Sequence, residues 1–197
     1  MNDIEEVLNN FVNALQEIKV TNDFEKAIDV ISNCNGKIIT VGMGKAGLAM
    51  KKFSATLCSL GISSCYLHPG EASHGDLGII QGNDILFVTS TSGKTREVIE
   101  TIDLSRKINS KPIIGLTSHK DSLLRDRCDI IIDMGEIEEA GKIKLAPTTS
   151  ILVIIAIVDA LSIVISERKG FNIKDFGRLH HSGYLGDVAR ESTKDVN

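Results

Sequence analysis

Five short apolar runs punctuate this chain, at residues 37–41, 64–67, 85–88, 112–116 and 129–133, and none is longer than a single strand. Most are apolar almost without interruption, Ile85-Leu-Phe-Val88 most plainly. That is the pattern of strands buried on both faces, not of strands with one face in water. Helix-like segments separate them. Strand and helix in alternation imply a parallel sheet covered on both sides, so the expected fold is α/β: a doubly wound five-stranded parallel sheet sandwiched by helices. In such a sheet, ligands bind outside the carboxyl ends of the strands, where the loops gather.

Helices are expected over 2–19, where Ile4, Val7, Leu8, Phe11, Val12, Leu15 and Ile18 fall at helical spacing, and over 22–32, from 42 to about 60, over 95–109, near 121–127 and from Thr148 onward. The block 68–78 lies between the second and third strands, 135–147 reads as a loop, and 175–186 as a glycine-rich tail that makes a poor helix. One domain is expected over 1–197, with N-terminal helices (2–33), a sheet core (37–133), C-terminal helices and an active-site tail (148–188), and fraying after about Ala189. The run 151–166 is the one membrane suspect, but it is shorter than the roughly 20 residues a bilayer needs and has Asp159 in its middle. A buried core or interface helix is expected instead. With 24% charged residues and a net charge of −4, nothing suggests a nucleic-acid partner or an anionic membrane surface. The four cysteines lack any C-x-x-C spacing and read as reduced, packed thiols. The acidic start Met1-Asn-Asp-Ile-Glu-Glu6 is unlike a signal peptide, so a soluble, cytoplasmic protein is expected.

Two strand-to-helix turns carry the chemistry. Thr89-Ser-Thr-Ser-Gly-Lys-Thr95 places three hydroxyls (Ser90, Ser92, Thr95), free backbone N–H groups and the positive end of a helix dipole in one place, which suits a phosphate. Its Ser92-Gly-Lys-Thr95 end resembles a P-loop, but the glycine that pattern needs five positions before Gly93 is Val88, inside the strand. A shorter phosphate cup survives. Gly42-Met-Gly-Lys-Ala-Gly47 matches a dinucleotide fingerprint, yet the second strand ends in Tyr66-Leu67-His68 without the ribose-binding acid. What remains is a turn, either purely structural or one that lets Lys45 and backbone amides face a ligand.

Glu97, just past the cup, either reaches the sugar end of a phosphate-bearing ligand or only complements the helix dipole. Glu138 and Glu139 are either solvated or reactive, and Thr148 is either a helix cap or part of the site. Paired His180 and His181 stand in the glycine-rich tail. His68, Glu71 and His74 could ligate a metal, but their spacing matches no catalytic zinc motif. A phosphate cup, a lysine, glutamates and a histidine suit proton transfer on a phosphosugar, in which carboxylate and imidazole move a carbonyl between neighbouring carbons without a cofactor.

Four blocks in order, VGMGKAG, HPGEASHGDLG, TSTSGKTREV and EAGKIKLAPTTS with HHSGYLG, resemble the sugar isomerase (SIS) domain. Within it, the resemblance is to the arabinose-5-phosphate isomerases that begin the route to the lipopolysaccharide and capsule sugar Kdo. It covers about 41–186. It implies the five-stranded α/β sandwich and interconversion of D-ribulose 5-phosphate and D-arabinose 5-phosphate through an enediol, in the cytoplasm, by a homotetramer. The family's functional positions fall on Lys45, Glu97, Glu139 and His180. Substrate binding falls on Ser90, Ser92 and Thr95, with Gly44, Thr91, Thr148 and His74 in the same set. His74 corresponds to a metal-binding histidine, with zinc an inhibitor and no cofactor required. Three positions depart from the pattern: Ala46 for a serine, Lys94 for a glutamate, and Leu179-His-His-Ser-Gly183 for the usual tail. Relatives often carry paired CBS modules after this domain; the chain ends at Asn197, so regulation through them is not expected. Another SIS isomerase, such as 6-phospho-3-hexuloisomerase, and a non-catalytic phosphosugar-binding module are the competing readings. No basic helix-turn-helix precedes Lys37 to favour a regulator.

Overall fold

Apolar runs that look uniform in the sequence divide between two faces in three dimensions. In the computed structural model, which describes residues 3–108 and 112–192, strand β1 (Ile38–Gly42) sends Ile38 to one core and Ile39 and Val41 to the other. Strand β3 (Ile85–Thr89) does the same, with Ile85 and Phe87 opposed to Leu86 and Val88. The period of two was always present; burial on both sides concealed it. With β2 (Ser64–Leu67), β4 (Ile113–Thr117) and β5 (Ile130–Asp133) they form one parallel sheet in the order β2-β1-β3-β4-β5.

Helices α1 (Asp3–Gln16), α2 (Asn22–Ser32), α3 (Gly44–Ser59) and α7 (Thr149–Arg168) cover the first face. There Phe53 of α3 meets Phe87 edge-on, with ring centroids 5.0 Å apart, an arrangement worth about 0.5–1.5 kcal/mol beyond the area it buries. The short helix α4 (Pro69–Ala72), a 3-10 turn (Asp76–Ile79), α5 (Arg96–Ile108) and α6 (Leu123–Arg127) cover the other face through Ala72, Leu77, Val98, Ile102 and Leu124. By length and composition α7 could cross a membrane, but more than half of it is buried and it packs against α1, α2 and α3. It serves as a core helix, as expected.

In the block 68–78, His68 Nδ1 accepts the Gly70 N–H and starts α4. Two local expectations need correction. The glycine-rich tail forms two helices, α8 (Ile173–Leu179) and α9 (Tyr184–Glu191), so Ala189 lies inside a helix and is buried. Asn172 and Asp175 close a capping box on α8. Gly186 lies where a Cβ would be 2.2 Å from the His180 carbonyl oxygen, so this glycine permits close packing and does not break the helix. Helix α1 stops at Gln16, short of Lys19. Asn2 and Asn109, the outer limits expected for α1 and α5, lie outside the described residues.

Candidate functional site

The strand order reverses between β1 and β3, since the chain moves outward one way to β2 and the other way to β4 and β5. That switch point leaves a crevice at the carboxyl ends of β1 and β3. A cavity of ≈ 840 Å³ opens there. Its walls are the β1–α3 turn (Met43, Lys45, Ala46), the turn after β3 (Thr89 to Ser92, and Thr95), His119 after β4, and an arm from Glu136 to Pro147 after β5.

The turn after β3 is a built cup. Gly93 has φ +62°, and its N–H donates to the Ser90 carbonyl at 2.9 Å. That reversal brings Ser90 Oγ within 2.8 Å of Thr95 Oγ1, while the Lys94 N–H reaches Ser92 Oγ at 3.3 Å. Helix α5 starts at Arg96. Its first N–H groups have no partner within the helix and, with the dipole, favour an anion. Thr117 Oγ1 (3.2 Å) and the Ser118 N–H (3.1 Å) donate to the Thr91 carbonyl and fix the cup to the end of β4.

The arm supplies the carboxylate. Glu139 Oε2 accepts from the Thr148 N–H at 2.8 Å and from the Ser150 N–H at 3.3 Å, and so caps α7 in place of the Thr148 side chain. Among the described residues, Oε1 keeps no protein partner. The buried Thr149 hydroxyl accepts the Ala140 N–H (3.1 Å) and donates to Asn10 Oδ1 on α1 (2.8 Å), holding the backbone beside Glu139. Lys144, a non-glycine residue at positive φ (52°), pairs with Glu138 at 2.6 Å.

Lys45, Ser90, Thr91, Ser92, Thr95 and Glu139 therefore meet around one cavity. Other expected residues lie outside its lining. Gly44 (φ +61°) shapes the β1–α3 turn, and Thr148 is the α7 cap position. Glu97 is half-buried in the first turn of α5. His74 is exposed, and among the described residues no three His, Cys, Asp or Glu side chains gather to hold a metal. His180 stacks on Phe176 at 3.8 Å between centroids. Its Nδ1 lies 2.9 Å from the Phe176 carbonyl and its Nε2 2.8 Å from Ser59 Oγ. A carbonyl only accepts, so Nδ1 carries a proton. Ser59 ends α3 and Lys45 lies in its first turn, so a rise of about 1.5 Å per residue puts His180 about 20 Å from Lys45, at the other end of the sheet. The sequence reading missed His119 altogether; its position directly after a strand, where loops line the site, was the available signal.

Two structural facts qualify the tempting motifs. A Cβ on Gly47 would lie 2.4 Å from the Gly42 carbonyl oxygen, so this glycine of the dinucleotide-like pattern serves close backbone approach. The first glycine that a P-loop needs falls on Val88, inside β3, so the turn around Gly93 is a shorter cup.

The family model for the SIS domain matches residues 30–164. The chain is 37% identical over 178 residues to arabinose 5-phosphate isomerase KdsD of Pseudomonas aeruginosa, covering 90% of this chain and 54% of the relative. It is 40% identical to a probable arabinose 5-phosphate isomerase of Haemophilus influenzae, over 88% of this chain and 52% of the other. It thus spans about half the length of these curated relatives. Among solved structures, a proposed phosphosugar isomerase involved in capsule formation from Bacteroides fragilis superposes with TM-score 0.89 at 40% identity, covering 92% of this chain and 97% of that one. An Escherichia coli CFT073 protein in complex with arabinose 5-phosphate superposes with TM-score 0.86 at 33% identity, covering 91% and 95%. With the parallel sheet, the cup at its switch point and a family match over more than half its length, the chain belongs to the SIS domain family.

Proposed function

We propose that the chain is an aldose–ketose isomerase that interconverts D-ribulose 5-phosphate and D-arabinose 5-phosphate. The observation that carries this reading is the single cavity that joins a hydroxyl-lined phosphate cup to Glu139, a carboxylate with one oxygen held and one open. The names of the relatives and the sugar phosphate in the Escherichia coli neighbour support the choice of substrate.

The cup and the α5 N-terminus bind the phosphate, and Lys45 steadies it or the developing oxyanion. Glu139 removes the proton from C2 of the open-chain aldose, giving a cis-enediol, and returns it to C1 as the hydroxyl proton moves from O2 to O1. A positioned base of this kind contributes about 10²–10⁴-fold. Glu97 is a supporting acid near the cup. His180 assists ring opening and oxygen protonation from a neighbouring copy of the chain, since its own cavity is about 20 Å away. That assignment makes the working unit an oligomer, a homotetramer in this reading. The reaction needs no cofactor, and zinc acts only as an inhibitor. A cytoplasmic setting accords with four cysteines that form no disulfide.

Proton NMR of ribulose 5-phosphate in D₂O with the protein tests the assignment. Arabinose 5-phosphate should appear with deuterium at C2, and Glu139→Gln should slow its appearance at least about a hundredfold. Ribulose 5-phosphate that stays unexchanged and unconverted would sink the proposal.

A further inference from the structure

The cavity has few cations free to meet a sugar phosphate, which carries a charge of about −1.5 to −2 at neutral pH. Lys144 is engaged by Glu138 at 2.6 Å and Lys120 by Glu136 at 3.1 Å. Lys94 follows the cup but lines the neighbouring cavity, not the main one. Lys45 stands on the β1–α3 turn. The cup itself offers neutral hydroxyls and amides.

His119 stands on the flank of that cup. Of the five histidines, it alone among the described residues lines the cavity. The others are placed differently: His68 caps α4, His180 has both ring nitrogens bonded, and His74 and His181 are exposed elsewhere. The His119 backbone is fastened on both sides. The Ser118 N–H and, more weakly, the His119 N–H (3.4 Å) donate to the carbonyl of Thr91, inside the cup loop. Arg125 Nε holds the His119 carbonyl at 2.7 Å, and Arg125 Nη2 is itself pinned to Asp133 at 2.7 Å. Among the described residues the imidazole has no hydrogen-bond partner. A rigidly held backbone beside the cup with an unengaged donor on the cavity wall is the arrangement of a ligand-binding side chain.

We propose that His119 is a substrate-binding residue whose imidazole N–H donates to a phosphate oxygen held in the Ser90–Thr95 cup. This rests on the phosphosugar reading of the cavity and adds to it the group that completes the phosphate subsite.

The test follows the histidine Cε1–H resonances of the full chain as inorganic phosphate is added, with the His119 signal identified by its loss in His119→Asn. That signal should move saturably. His119→Asn and His119→Gln should each raise the phosphate inhibition constant and the KM for arabinose 5-phosphate about tenfold, with kcat changed by less than about threefold. Because the ring is exposed, the thermal unfolding midpoint should match wild type. A stationary His119 signal, unchanged constants in both variants, or a loss confined to kcat would each overturn the assignment. The phosphate titration needs no turnover. A His119 signal that moves in a protein unable to isomerise arabinose 5-phosphate would therefore refute the proposed reaction and leave the phosphate ligand standing.

Discussion

Gly93 is where fold and site depend on the same atom. Its φ of +62° turns the cup, and a Cβ there would lie 2.3 Å from both Cβ and Oγ of Ser122 and 2.9 Å from Thr117 Oγ1. Ser122 is itself buried, so it cannot swing into solvent. Gly93→Ala thus combines two costs: about 1–2 kcal/mol for a left-handed backbone carrying a Cβ, and about 1–3 kcal/mol for overpacking. The expected loss is centred on about 3.5 kcal/mol, which for a domain of this size lowers Tm by about 7–14 °C. A second substitution separates the two costs. Ser122→Gly removes the two nearest atoms the new Cβ would strike, leaving the Thr117 Oγ1 contact and the backbone strain in place. Thermal unfolding of wild type, both single variants and the double variant gives the coupling, expected at about 1–2 kcal/mol in the direction of rescue. Phosphate affinity should fall in Gly93→Ala and recover partly in the double variant, because the Ser90–Thr95 geometry depends on the same turn. Strict additivity of the two substitutions, or a Gly93→Ala protein with wild-type Tm, would refute the steric argument.

Other outcomes follow from single contacts. Thr149→Val leaves the Ala140 N–H and the Asn10 amide unpaired beside the core; a loss of about 1–3 kcal/mol is expected, with kcat falling more than KM rises, checked by urea unfolding and steady-state kinetics. Burial pushes the Asp84 carboxyl up, but the hydrogen bonds and charge of Lys37 and the Gln81 N–H outweigh it and hold the group below its ordinary 3.8. The unfolded chain therefore takes up this proton first as pH falls, so the stabilisation is complete above about pH 4 and is lost as pH falls through the folded value. Asp84→Asn should be less stable at neutral pH and lose stability less steeply on acidification, measured by urea midpoints between about pH 3 and 6. Burial raises the Cys128 thiol to about 12, whereas Cys58 is exposed. Iodoacetamide at about pH 8 should label Cys58 first and Cys128 only on unfolding, read by peptide mass spectrometry.

Legibility differed by scale. Strand positions, the alternation of helices and the two turns at the strand ends followed from local patterns, because burial on both faces leaves an apolar run and a tight turn needs glycine. Helix α2 and strand β2 agree with the expected limits at both ends. The tail failed for a local reason as well: glycine lowers helix propensity in isolation, but Gly186 packs against the His180 carbonyl in the fold. The capping box at Asn172 was readable from the spacing and went unread.

What the sequence by itself determined is the class of fold, the hydroxyl-lined turn after β3 and the types of residue placed at the strand ends. Each of those depends on neighbours within a few positions, through hydrogen bonds and dihedral angles that a short segment carries wherever it goes. Only the tertiary structure decided which groups share a cavity. It brought Glu139 from the arm after β5 to Lys45 after β1, fixed that carboxylate on the α7 N-terminus, put His119 on the flank of the cup and held His180 at the far end of the sheet. Those relations join residues tens of positions apart, and strand order sets them. The same α/β alternation is compatible with more than one order, and only the order observed here puts the crevice between β1 and β3.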